Sequence, residues 1–470
     1  MSLLRKTARS AAWTFAGFQF GGVLTLGSSI VIARLLDPSA LGRYALAATI
    51  VAIVTSGASL QMNGYYVVAE KATARVLRTG LLLELGLGGL LFIVLTGAAL
   101  SYGLLAQDWA MTGYLVVAGG VLLTNPFGAL GAFFTRNLQF RMLTIAQSCC
   151  LILSLTVKVA LVSAGIGVWG LVIGDLTLSA AFAVAMLILV PAGRGLVWDR
   201  LLMRKQFSFG APLLTTGLLG TMTLRGQDLV VAALLGTRSL GFYYLATRLA
   251  NQAYQLGRAL SVPLLPAFSR SSDSQLAQGF ALTTRFSAFL VALPLALAVP
   301  LAGPFVVAVY GERWHPAALP LTLLFAAVAV RFVLWHAGNL LKSRGRVREI
   351  MWLAVVQLIL TTIACSIGAW LLGVTGVAAG VLAVELALVE PKRRLIRSVV
   401  PFRIRDVLRS PAVALVLGTV VAAATARILP APGVLFAAAL SVVAVFAAIA
   451  WLTDSRSVSL IVSAFRGVQP

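Results

Sequence analysis

Apolar runs of about 17 to 27 residues recur along the chain, separated by short polar segments rich in Arg and Lys. A helix rising 1.5 Å per residue needs about 20 apolar residues to cross a bilayer. The pattern predicts spans at 11–36, 41–67, 80–102, 110–134, 143–164, 168–190, 209–235, 240–266, 281–303, 316–341, 349–371, 375–391, 411–429 and 432–453. This is an all-α polytopic membrane protein of about fourteen helices. The runs do not alternate apolar and polar positions, which excludes a membrane β-barrel. The first run is too long for a signal-peptide core, so it reads as a retained first helix.

Only 11% of the 470 residues are charged and 60% are hydrophobic, whereas soluble domains carry about 25% charged residues. The net charge is nevertheless +23. Its distribution matters more than its size. Counting from a cytoplasmic N-terminus, the inside segments hold 27 of the 37 Lys and Arg residues, the outside loops 5, and the spans 5. Such a bias places both termini in the cytoplasm. The excess forms a collar beside anionic headgroups, and nucleic acid is not needed to explain it. Cys149, Cys150 and Cys365 lie in apolar runs, and only two histidines are present. Neither a disulfide framework nor a metal site follows, and no cofactor is expected.

The chain repeats itself. Residues 35–47 read LLDPSALGRYALA and residues 234–246 read LLGTRSLGFYYLA, an offset of 199 that keeps a Leu-Gly-x-Tyr core. Each copy is the outer turn opening a block of six helices. Six is even, so the two blocks share one orientation, as in parallel-repeat transporters. The expected division is an N-terminal lobe 1–195 (six helices), a C-terminal lobe 196–400 (six more), and 401–470 as a further helix pair with a cytoplasmic tail. A central cavity is expected between the lobes. Leu-Gly-x-Tyr on its own is also a plain helix-hairpin cap, but a cap does not explain recurrence half a molecule away.

Residues 209–270 place charges at membrane depth: Arg225, Asp228, Arg248 and Arg258. A charge at mid-bilayer costs at least about 2.5–3.5 kcal/mol, so it needs a cavity or a partner. Arg225 lies about 15 Å from the outer end of its span, and Arg248 is at similar depth in the next. Asp228 shares a face with Arg225, three residues on. Two readings are open: a local ion pair holding the helix, or an Asp228 that orients Arg225 toward an anion. Arg258 either snorkels to the interface or extends a cationic ladder. At the offset of 199, Arg225, Asp228 and Arg248 correspond to Leu26, Ser29 and Thr49, so one half is charged where the other is neutral. Lys158 with Asp175, and Arg331 with Glu385, are further possible pairs, structural or gating. Glu84, near a cytoplasmic end beside Arg78, reads as interfacial.

At these residues the chain resembles the Wzx-type oligosaccharide and polysaccharide flippases of the multidrug/oligosaccharidyl-lipid/polysaccharide superfamily. The segments that carry the likeness are VIARLLDPSALGRYALAATI (31–50), FTRNLQFRMLTIAQ (134–147), LLGTRSLGFYYLATRLANQ (234–252), LLPAFSR (264–270) and PFVVAVYGERWHPAALPLTLL (304–324). The likeness covers about residues 1–370. It implies a two-lobed fourteen-helix fold in a bacterial cytoplasmic membrane. It also implies movement of undecaprenyl-diphosphate-linked sugars, such as O-antigen, capsule or exopolysaccharide repeat units, from inner to outer leaflet by alternating access. The partners would be the lipid-linked oligosaccharide and membrane lipids, with the chain a monomer, alone or with other polysaccharide-assembly proteins. Arg225, Arg248 and Arg258 would meet the diphosphate, because a guanidinium fork bonds phosphate oxygens in pairs.

Two other functions compete. A membrane glycosyltransferase, polymerase or ligase needs a positioned base in an outer loop, and Asp37, Asp108 and Glu312 are scattered. A drug exporter of the same superfamily would use an acidic cation site, yet span 11–36 has no carboxylate. The chain is therefore read as a transporter and not an enzyme.

Overall fold

Inside a bilayer no water satisfies backbone N–H and C=O groups, so an apolar chain closes its hydrogen bonds within helices. The computed structural model describes residues 3–71, 73–261, 268, 273–428 and 437–449, without the side chains of 3–12, 14–16, 18, 253–261, 273, 274, 347 and 428. Among these residues every regular element is helical. The helices are α1 (Leu3–Leu35), α2 (Pro38–Ala58), α3 (Met62–Val68), α4 (Ala74–Ala106), α5 (Trp109–Gly119), α6 (Val121–Thr124), α7 (Ala132–Arg136), α8 (Phe140–Ser163), α9 (Val168–Leu189), α10 (Arg200–Ser261), α11 (Asp273–Tyr310), α12 (Ala318–Val333), α13 (Ala337–Ser343), α14 (Val347–Ala387), α15 (Val389–Arg397) and α16 (Ile404–Ile428). A further apolar helix, α17, covers Ala437–Ile449. The outer parts of the expected span 432–453 and the tail beyond it lie outside the described residues.

Among the described residues, ten helical segments are long and apolar enough to cross a membrane, and Gln19–Leu35 and Ala437–Ile449 are shorter apolar helices. Two of the ten contain a sharp bend. The bend in α10 is Gly236 (φ 79°, ψ 175°) and that in α14 is Gly373 (φ 60°, ψ −138°). These angles suit glycine, which has no Cβ to clash. Each bend falls where the sequence pattern separates two spans. Other expected spans are broken internally. Span 41–67 divides at 59–61, with Gln61 left-handed (φ 56°). Span 110–134 ends in a 3-10 turn over Asn125–Gly131, where Pro126 removes an N–H. Span 316–341 breaks between Val333 and Ala337.

The chain divides into two compact units, residues 1–241 and 242–470. In the first, Leu130, Phe134, Met186, Tyr66 and Leu77 form a buried cluster joining α3, α4, α7 and α9. In the second, Phe280, Leu340, Ile396 and Phe402 pack together, and a separate seam is lined by Ala292, Ala296, Ala414 and Ala422. Small residues there bring helices close, which is where dispersion gains come from when lipid offers no hydrophobic drive. Large apolar side chains such as Ile93, Leu105, Ile367 and Trp370 point outward, as a lipid-facing surface requires.

The repeat motif makes a reciprocal contact inside the first unit. A Cβ on Gly42 would stand 1.7 Å from the carbonyl oxygen of Thr237, and one on Gly241 would stand 1.9 Å from that of Pro38. Adding 199 to Gly42 and Pro38 gives Gly241 and Thr237, so the two copies exchange roles across the contact. Asp37 caps α2 by accepting from the amides of Ser39 and Ala40 at 3.0 and 3.3 Å. Burial raises its pKa, but these bonds and that from the Ser39 hydroxyl outweigh it and hold the carboxyl below the usual aspartate value.

Gly42→Ala and Gly241→Ala should each destabilise the protein by at least about 1–3 kcal/mol, because the opposing atoms are backbone and cannot rotate away. Gly27→Ala, with nothing within 4 Å of its added carbon, should be neutral or slightly stabilising. Thermal melting of the detergent-purified protein reads both, and equal melting in all three variants would contradict the contact.

Candidate functional site

Among the described residues, four polar nodes interrupt the apolar interior. The first lies where α2 meets α10. Asp228 is 2% exposed. Thr49 donates to its Oδ2 at 2.9 Å, and the Arg225 guanidinium stands 3.7 Å from the same oxygen. The Arg225 side chain remains 43% exposed. Asp228 is thus held by a neutral hydroxyl and a longer ion pair, and the arginine stays partly exposed. Gln227, also buried, extends the polar strip.

The second node joins α2, α8 and α9. Lys158 Nζ and Asp175 Oδ1 are 2.5 Å apart, and the Tyr44 hydroxyl donates to Asp175 Oδ2 at 2.6 Å. The stem of Lys158 lies over Gly174, where a Cβ would stand 2.1 Å from its Cγ. Ser154 donates to the Gly174 carbonyl at 2.7 Å. Every polar group in this node has a partner, and the glycine is what lets the lysine pass. Tyr44 comes from the Leu-Gly-x-Tyr motif, so the motif supplies both a close backbone contact and a carboxylate partner.

The third node is Glu84 on α4, 6% exposed, which accepts from the Met62 amide at 3.1 Å. It lies near the cytoplasmic end of its expected span with its side chain turned into the protein. The α2–α3 break brings a backbone N–H to the carboxyl, and packing covers it. The fourth node lies in the second unit. Glu385 on α14 is 1% exposed and accepts from Arg331 Nε at 2.6 Å, from Gln357 Nε2 at 2.7 Å and from Lys392 Nζ at 3.4 Å. Nearby in sequence, buried His336 bonds Ser287 at 2.7 Å.

The structure therefore brings Arg225 together with Asp228, Lys158 with Asp175, and Arg331 with Glu385. Arg248 is half-buried on α10 and has an interaction partner of its own. Arg258 lies on the same helix, and its side chain is outside the described residues. Sequence reasoning missed Thr49, Tyr44, Gln357 and Lys392 as carboxylate partners. Thr49 carried one usable signal, its position 199 residues before Arg248. Lys392 counts as a loop charge in the sequence yet reaches back seven residues to Glu385. Among the described residues no group of three or more His, Cys, Asp or Glu side chains is placed to hold a metal.

Bent apolar helices, isolated buried ion pairs and lipid-facing flanks define a multi-pass helical membrane protein. Residues 31–319 match the model of the polysaccharide biosynthesis protein family, and the chain belongs to that family. It is 29% identical over 155 residues to the teichuronic acid biosynthesis protein TuaB of Bacillus subtilis (strain 168), a match covering 32% of each chain. It is 24% identical over 399 residues to the lipopolysaccharide biosynthesis protein WzxC of Escherichia coli (strain K12), covering 82% of this chain and 80% of WzxC. In fold it resembles the lipid II flippase MurJ in an inward closed conformation, with a TM-score of 0.73, 14% identity, and coverage of 94% of this chain and 100% of that one. It also resembles the eukaryotic MATE transporter AtDTX14, with a TM-score of 0.57, 14% identity, and coverage of 88% and 99%.

The fourth node predicts an order of stabilities. Glu385→Gln leaves Arg331 and Lys392 both without a counter-charge and should cost about 3–5 kcal/mol. Arg331→Met leaves Glu385 paired with Lys392 and should cost less. The check is the denaturation midpoint of the two purified variants, and a reversed order would show that Lys392 does not share the carboxylate.

Proposed function

We propose that this protein is a flippase that carries polyprenyl-diphosphate-linked oligosaccharide from the cytoplasmic to the outer leaflet of a bacterial cytoplasmic membrane by alternating access. The observation that carries the reading is Arg225. It is a cation at bilayer depth, 3.7 Å from a buried carboxylate, with 43% of its side-chain surface still exposed. Family membership, and the names borne by TuaB, WzxC and MurJ, supply the substrate class. In this reading Arg225, Arg248 and Arg258 meet the diphosphate along its route. Asp228 aims Arg225 and does not touch the lipid, since a carboxylate repels a diphosphate. Lys158 with Asp175, and Arg331 with Glu385, brace helices that must move as bodies.

The fourteen crossings, both termini in the cytoplasm, and the division into lobes 1–195 and 196–400 with 401–470 added belong to the same proposal. What supports them is the charge bias of the loops, the offset-199 repeat and the bends at Gly236 and Gly373. Drug export is less well served, because an organic cation gains nothing from an exposed arginine.

Transport should follow the arginines. Arg225→Lys keeps the charge but loses the paired bonds, so it should accumulate normally and export poorly. Arg225→Ala should lose export and also some stability, because Asp228 then stays buried with Thr49 alone. Arg248→Ala should lower export at normal protein level, and Asp228→Asn should be milder than either alanine. Complementation of glycan export in a flippase-deficient host, with membrane protein level as control, measures this. Normal export by both alanine variants would move the cationic site elsewhere.

Orientation has its own test. In a cysteine-free background, Ser239→Cys should react with an impermeant maleimide in intact cells, and Ser343→Cys only after permeabilisation. The opposite pattern would invert the proposed topology.

A further inference from the structure

The described structure buries three carboxylates in apolar surroundings: Glu84, Asp228 and Glu385. Asp228 has Arg225 beside it, and Glu385 has Arg331 and Lys392. Glu84 has the Met62 amide, and no cation lies within ion-pair distance of it among the described residues. An ionised carboxylate buried in the protein interior with no counter-charge carries a desolvation cost that its one amide donor offsets only in part. It meets that cost by taking up a cation or by staying neutral.

Glu84 opens onto a small cleft lined by Thr55, Ala58, Ser59, Leu122, Asn125 and Pro126, with about 10 Å³ of room, the space of one water-sized sphere. Thr55 points a buried hydroxyl here that has no hydrogen-bond partner among the described residues. Asn125 lies at the exposed side. The cleft sits at the break between α2 and α3, where left-handed Gln61 precedes Met62. Helices close in tightly around that break. A Cβ on Gly210 would stand 2.4 Å from the Leu60 carbonyl oxygen, and one on Gly80 3.3 Å from Met62.

The elements packed on α4 bring no other titratable group to the cleft. Tyr65 stacks edge-on against Phe209, Tyr66 lies under Arg136, and Tyr114 packs on Trp169. Gln206 gives its amide to the Val76 carbonyl. The basic neighbours are committed elsewhere: Arg78 to the Ala192 carbonyl, Arg75 to Asp199, and Arg136 to the carbonyls of Tyr66, Val67 and Ala69. Arg204 and Lys205 on α10 are exposed.

We propose that Glu84 is a proton-binding site that couples a proton to the movement of the α2–α3 break. A hydronium reaching the cleft gives its proton to the carboxylate. One O–H bond forms on Glu84, one breaks, and a water is left in the space beside Thr55. The ionised form accepts strongly from the Met62 amide and holds the break in place. The neutral form accepts weakly and frees it. A proton suits the site better than a metal ion, because four side-chain oxygen groups in so small a space fall short of the six or more a hard cation such as Ca²⁺ takes. The use of the proton in transport rests on the flippase reading. The site itself does not.

Infrared difference spectroscopy of the purified full-length protein, taken from alkaline to acid pH, tests it. The wild type should show a protonated-carboxyl band that Glu84→Gln lacks and that Glu84→Asp retains at a shifted position. Thr55→Val should raise the pH midpoint of that band, because a drier site favours the neutral acid. This arm keeps the test open if Glu84→Gln fails to fold. A band unchanged in Glu84→Gln, or in both Glu84→Asp and Thr55→Val, overturns the proposal. So does a site that responds to sodium and not to pH. In cells, Glu84→Gln at wild-type membrane level should export without the usual sensitivity to a protonophore, and retained sensitivity would also overturn it. Failure of the Arg225 and Arg248 variants to affect export would remove the flippase reading while leaving the infrared result intact.

Discussion

The cost of placing an unpaired charge in hydrocarbon governs this protein. A chain that is 60% hydrophobic has no need of internal arginines and carboxylates for folding. Each one it carries must be matched, exposed to a polar route, or neutralised. The polar nodes divide along these lines. Asp175 and Glu385 are satisfied by cations and neutral donors together. Asp228 has a hydroxyl and a longer ion pair on one and the same oxygen, and the arginine beside it stays partly exposed. Glu84 has an amide and no cation. The two nodes where matching is least complete are the ones to which the proposals above assign function.

The same constraint explains the backbone. Helices are the default, so departures from them need local compensation. Gly236 and Gly373 turn the chain with dihedrals that side chains resist. Gly42 and Gly241 let two helix starts touch through their main chains. The α2–α3 break leaves the Met62 amide without a helical partner, and Glu84 takes it. Backbone exceptions and buried polar groups are therefore linked: the same carboxyl that lacks a cation closes the gap in a broken helix.

Much of the architecture is legible in one dimension. Hydropathy depends on composition over some twenty residues, and loop charge bias depends only on counting. The spans, the Leu-Gly-x-Tyr repeat and the residues charged at depth can all be read without coordinates. The pairing of Arg225 with Asp228 is local too, set by the three-residue spacing of a helix face. The subtler breaks, at 59–61 and between Val333 and Ala337, were not visible. Ser59, Gln61 and His336 are isolated polar residues in otherwise apolar stretches, too few to mark the end of a span, and the departure from helix is decided by partners elsewhere.

What the tertiary structure alone decided is who stands beside whom. Thr49 meets Asp228 across 179 positions, and Tyr44 meets Asp175 across 131. No periodicity carries that information. Glu84 is the clearest case. In sequence it lies six residues from Arg78, and a nearby cation would settle its charge. In the fold Arg78 turns to the Ala192 carbonyl, the α2–α3 break delivers an amide, and the carboxyl is left without a counter-ion. Sequence determined that the charges are in the membrane, because hydropathy is a sum over neighbours along the chain. Which charges are compensated depends on Coulomb's law over a few ångströms of space, and that distance exists only once the helices have packed.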